Sequence, residues 1–102
     1  MELRIIGKRD VPQNEFPVVE VAIEGGRLII DCDNQDTVAE VANLLMNDLF
    51  VEGLGFPLRS IDPASGAWRT TGYADLSATP ELVLRAIQHG LAERHYEVIA
   101  IP

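Results

Sequence analysis

The strongest constraint in this chain is a pair of adjacent glycines. Gly25-Gly26 separates two runs of alternating polarity, residues 18–24 and 27–32. Glycine takes positive φ without steric cost, and a two-residue loop of this kind closes a β-hairpin whose turn matches the twist of its strands. With the glycines as the loop, Ile23 faces Leu28, Val21 faces Ile30 and Val19 faces Cys32, so one side of the hairpin is apolar throughout. The other side pairs Glu24 with Arg27, Ala22 with Ile29 and Glu20 with Asp31. That last pair sets two carboxylates side by side, which costs stability.

The remaining elements follow from spacing and end signals. Residues 2–7 read as a first strand, and 8–17, with Pro12, Asn14 and Pro17, as an irregular connection. Thr37-Val38-Ala39-Glu40 fits a capping box and predicts a helix starting there, with Val38, Val41, Ala42, Leu45 and Leu49 as its apolar stripe and Gly53 as its stop. Leu44, Met46 and Phe50 widen the stripe beyond one face, which suggests a second covered surface. Residues 56–61 and 67–73 bracket Asp62-Pro63-Ala64-Ser65-Gly66, a type I turn signal, so that Ile61 is expected to pair with Trp68. Thr79, Pro80 and Glu81 give an N-cap, a first-turn proline and a dipole-complementing acid for a second helix carrying Leu82, Val83, Ala86, Ile87 and Leu91. Gly90 is expected to weaken or break that helix near its end, before a last strand at 96–101.

From residue 27 the order is strand, helix, strand, strand, helix, strand, the split βαβ or ferredoxin-like order. The expected fold is a single α+β domain over residues 1–102: an antiparallel or mixed sheet with two helices on one face and an added N-terminal strand or hairpin. That superfold hosts many unrelated activities, so function must come from the residues.

Charge narrows the choices. The chain carries a net charge of -8, and residues 10–57 hold ten acids against Arg27 alone. Such a surface repels phosphates, which argues against binding bare DNA or RNA and leaves either solubility or a basic protein partner as the use of the acids. No apolar run approaches the length of a membrane span. The N-terminal residues, with Glu2 and no small-residue cleavage site after an apolar run, do not read as a secretory signal, so a cytoplasmic location is expected. Cys32 stands alone, which excludes an internal disulfide and a cysteine zinc cluster.

Candidate sites each have a plainer reading. Asp31, Asp33 and Asp36 group oxygen ligands where a strand meets a helix, as a hard cation requires, but an EF-hand read from Asp31 would put Asp36 where glycine is needed and Ala42 where a bidentate glutamate is needed. The plainer role is to complement the helix dipole. His89 and His95, six apart across a helix end, do not match a helical metal pair. Cys32 lies between Asp31 and Asp33, which raise a thiol pKa, and points into the apolar row. Neither a Gly-x-Ser-x-Gly elbow nor a phosphate-binding glycine loop occurs. The strand at Trp68, Arg69 and Tyr73 combines aromatics and a cation, and alternation puts Trp68 on one side with Arg69 and Tyr73 on the other.

These readings converge on a non-enzymatic acidic interaction module, an adaptor, inhibitor or immunity-type protein. It would use Glu20, Asp31, Asp33, Asp36, Trp68, Arg69 and Tyr73 to bind a protein partner of basic character, with self-association a further expectation. A nucleic-acid mimic is its special case. The alternative is a small divalent-metal-dependent enzyme or ligand-binding domain built on Asp31, Asp33 and Asp36. No cofactor is called for by any motif, and no catalytic residue or metal ligand is assigned.

Overall fold

A computed structural model describes residues 1–48, 59–62, 67–73 and 79–102. It is a single α+β domain with strands β1 (Glu2–Lys8), β2 (Val19–Glu24), β3 (Arg27–Cys32), β4 (Arg59–Asp62), β5 (Ala67–Tyr73) and β6 (Tyr96–Ile101). Among the described residues the α-helices are α1 (Gln35–Asp48), after β3, and α2 (Pro80–Glu93), after β5, and a 3-10 turn spans Gln13–Glu15. No helix among the described residues is long and apolar enough to cross a membrane.

The β2–β3 hairpin forms in the expected register: Ile23 faces Leu28, Val21 faces Ile30 and Glu20 faces Asp31. Gly25 and Gly26 have φ of 57° and 78°. Two consecutive positive values define the turn whose twist suits a tight hairpin, and a side chain at either position would be strained.

All pairings are antiparallel, in the order β4-β5-β3-β2-β1-β6. The added N-terminal strands do not extend an edge. They stand inside the sheet, so β6 pairs with β1 and is separated from β3 by two strands.

Alternation sorts the strands into two faces. Leu3, Ile5, Val19, Val21, Leu28, Ile30, Cys32 and Tyr96 are buried in one cluster with Val38, Val41, Ala42 and Leu45 of α1 and Leu84, Ile87 and Leu91 of α2. Both helices therefore cover the same face, α1 over β3 and β5, α2 over β6, β1 and β2. Leu44 and Met46 are half-buried against this same core, so those two of the extra apolar residues need no second surface. Leu49, Phe50 and Gly53, the segment 56–58 and the turn at 63–66 lie outside the described residues.

Three local expectations are corrected. The cap of α1 is Asn34, not Thr37: Asn34 Oδ1 accepts from the Thr37 N–H at 3.0 Å and from the Thr37 hydroxyl at 3.2 Å, and Asn34 C=O takes the first helical bond, from the Val38 N–H. Asparagine caps at least as well as threonine, and starting there adds almost a turn to the helix. Trp68 pairs with Ser60 and not Ile61, because an irregularity between Ser60 and Asp62 shifts the register. Gly90 does not break α2 but is buried within it. Contact with the core outweighs a helix-propensity cost of about 1 kcal/mol.

Candidate interaction surface

No described helix lies on the second face of the sheet. One row of residues runs across the sheet on that side, Ile99, Arg4, Glu20, Asp31 and Arg69 being successive cross-strand partners, and Arg59 of β4 is in register with Arg69. The two carboxylates that the hairpin brings together, Glu20 and Asp31, lie at its centre. Each has an arginine on its outer side, Arg4 from β1 and Arg69 from β5.

The two ends of this quartet differ. Asp31 accepts from Arg69 through both oxygens, Nε to Oδ1 at 2.5 Å and Nη2 to Oδ2 at 2.7 Å. This is the bidentate fork that fixes geometry as well as charge. Arg4 Nε approaches Glu20 Oε1 at only 3.9 Å, an ion pair without a hydrogen bond, and Arg4 Nη2 also reaches Glu2 at 3.5 Å. Half-buried Ala22 and Ile29 pair beside the quartet, and Ile99 is 43% exposed at its end.

The predicted site residues fall into three groups. Glu20, Asp31 and Arg69 share the face without a described helix, and Tyr73 takes the register position opposite Arg27. Trp68 is on the opposite side, half-buried against the core, so it does not join Arg69. Asp33 and Asp36 are exposed at the junction of β3 and α1. Asp31, turned to Arg69, does not converge with them, and among the described residues no group of three or more His, Cys, Asp or Glu side chains could hold a metal ion.

Cys32 is buried, and burial raises its thiol above the ordinary range, an effect larger than the opposing donation from the Asn34 N–H to Sγ at 3.4 Å. His89 and His95 are both exposed, and His95 ends α2 with a left-handed φ of 67° while its N–H donates to Ala92 C=O.

One cluster was not anticipated. Glu40 Oε1 accepts from Lys8 Nζ at 2.6 Å and from the Tyr96 hydroxyl at 2.8 Å, and Lys8 Nζ stands 5.1 Å from the centre of the Tyr96 ring. The donors hold the Glu40 carboxyl below its usual range, Lys8 above first, and the bond to Glu40 raises Lys8. Burial, followed by the nearby carboxylate, raises Tyr96. Phe16 meets the same ring edge-on with centroids 6.5 Å apart. The cluster ties α1 to β1 and β6, a tertiary clamp in place of the capping box expected of Glu40. Only the pairing of β1 with β6 brings its members together, and nothing in their spacing along the chain signals it.

Comparison with family models, curated proteins and solved structures finds no match to this chain.

Proposed function

We propose that this chain is a non-enzymatic protein-interaction module, of the adaptor, inhibitor or immunity type, that presents the second face of its sheet to a basic protein. The carrying observation is the Arg4–Glu20–Asp31–Arg69 row on a face with no described helix over it. A fixed charge pattern framed by apolar side chains gives register and selectivity, whereas charge alone gives only attraction. The attraction comes from exposed acids at both ends of the hairpin, Glu24 at one and Asp33 and Asp36 at the other, within a chain of net charge -8. The path β3–α1–β4–β5–α2–β6 is read as a ferredoxin-like plan with the β1–β2 pair inserted, which widens the face available to a partner. The buried thiol and the exposed helix-end histidines favour this reading over a catalytic one.

The test is a charge-swapped quartet. Arg4→Glu, Glu20→Arg, Asp31→Arg and Arg69→Glu together keep net charge and leave the 4–20 and 31–69 pairs opposite in sign while inverting the pattern presented, at the loss of the contact between Arg4 and Glu2. Wild-type and swapped proteins serve as baits for proteins of the native host, washed at low and then high salt. A basic protein held by the wild type at low salt, released at high salt and absent from the folded swapped bait is the expected result. Equal recovery by both baits would refute the assignment of the face.

A further inference from the structure

The two edges of the sheet are unlike. β4 is short and has charged residues at both ends, Arg59 and Asp62, a pattern that discourages pairing. β6 has six residues, Tyr-Glu-Val-Ile-Ala-Ile, with Glu97 as its one charge and no proline within the strand. Its backbone orientation follows from its pairing with β1. The Arg9 N–H donates to His95 C=O, which flanks the Lys8–Tyr96 pair and turns the backbone groups of Tyr96 away from β1. Alternation then points the N–H and C=O of Val98 and Ala100 to the outer edge. Gln88 Nε2 of α2 donates to Val98 C=O at 3.3 Å, as that orientation requires. Among the described residues no strand pairs with this edge.

We infer that β6 pairs with β6 of a second copy, antiparallel about a twofold axis through Ile99, to make one continuous sheet. The occupant follows from self-complementarity. With Ile99 opposite itself, Val98 faces Ala100 of the other copy, and the outward N–H and C=O groups of both close four ladder bonds, the Val98 C=O accepting with its second lone pair beside Gln88 Nε2. Glu97 faces Ile101 and never its own copy, so this strand, with a single charge, brings two acidic chains together without opposing its own carboxylates. The register also keeps even-numbered residues on one side, so the helices of both copies lie on the same face. Ile99, 43% exposed, gains an apolar neighbour at the axis.

Sedimentation of the full chain over a concentration series should show a species of twice the 11.2 kDa chain mass. Ala100→Pro removes an outward N–H and blocks the edge while sparing the ladder to β1, and should abolish that species with the melting temperature retained. Ile99→Cys should cross-link to itself on oxidation, since directly opposed residues without mutual hydrogen bonds have Cα atoms about 4.5 Å apart, within disulfide reach. Glu97→Cys, two residues from the axis, should not. A chain that is monomeric at every concentration, or a dimer in which Ile99→Cys stays unlinked, overturns the inference whatever the fate of the proline variant.

Discussion

Removing the Arg69 guanidinium should change the sign of what Glu20 does. In the native row, Glu20 feels Asp31 on one side and Arg4 on the other, and Asp31 is neutralised by the fork from Arg69. The side chains of Arg69 and Asp31 are 33% and 22% exposed. Their pairing thus lies between exposed pairs, worth less than about 1 kcal/mol, and buried ones, whose disruption costs about 3–5 kcal/mol. Arg69→Ala should therefore cost about 2 kcal/mol, or about 10 °C in melting temperature for a domain this size. In the wild type, Glu20→Gln gives up a long ion pair and relieves a like-charge contact, so the net change should be near zero, within about 0.5 kcal/mol. In the Arg69→Ala background Asp31 is left facing Glu20 without its cation, and the same Glu20→Gln change should stabilise by about 0.5–1 kcal/mol. The assay is a double-mutant cycle by urea unfolding followed by circular dichroism, at low and high salt. Coupling should shrink at high salt. Equal effects of Glu20→Gln in both backgrounds would refute the idea that the row acts as a connected unit.

The Lys8–Glu40–Tyr96 clamp predicts an acid limb. Because the Glu40 pKa is lowered from 4.5, its contribution is present above that value and lost as pH falls through the depressed one. Glu40→Gln should cost below about 1 kcal/mol at neutral pH, the side chain being half exposed, and flatten the acid part of a stability–pH curve. Lys8 works the opposite limb: its raised pKa gives a contribution complete below 10.5 and lost as pH rises through the higher value, which an alkaline titration of wild type against Lys8→Met would show. Asn34→Ala should cost about 1 kcal/mol in chemical denaturation and Thr37→Ala distinctly less; the reverse ranking would return the cap to Thr37. Cys32 should resist a thiol reagent in the native protein and react at the rate of an ordinary cysteine once urea unfolds the chain, and fast native labelling would contradict its burial.

Local chemistry was readable where one arrangement satisfied every local rule. The Gly25-Gly26 turn and its flanking alternation fixed the register down to the Glu20–Asp31 contact. The helix start was ambiguous because Asn34 and Thr37 can both cap, and Glu40 stands three residues after Thr37 by coincidence of spacing. Its carboxylate is drawn instead to Lys8 and Tyr96, whose proximity depends on which strands are neighbours. Strand order is a long-range property, and the hairpin pattern is silent about whether β1 and β2 sit at the edge or inside the sheet. For the same reason the sequence could show the carboxylate pair but not the arginines that flank it. Alternation along β5 puts Trp68 and Arg69 on opposite sides, as the structure has them, and the same alternation forbids one binding surface that holds both.

The placement of β1 between β2 and β6 also shapes how this domain must be built. Glu2 lies opposite Ile101, so β1 and β6 are neighbours in space and, among the described elements, the most distant in sequence. The hairpin and α1 can form from local contacts as the chain emerges. β1, however, has only one of its two neighbours until β6 has been made, and the edge of backbone groups that β6 will pair with stays open until then. Contacts of such long sequence separation are entropically slow to close, so the docking of β6 on β1 is the natural candidate for the rate-limiting event in folding. Until then β1 offers an unfilled slot to any extended segment, including β6 of a neighbouring chain, and exchange of that strand between molecules is the characteristic error of this topology.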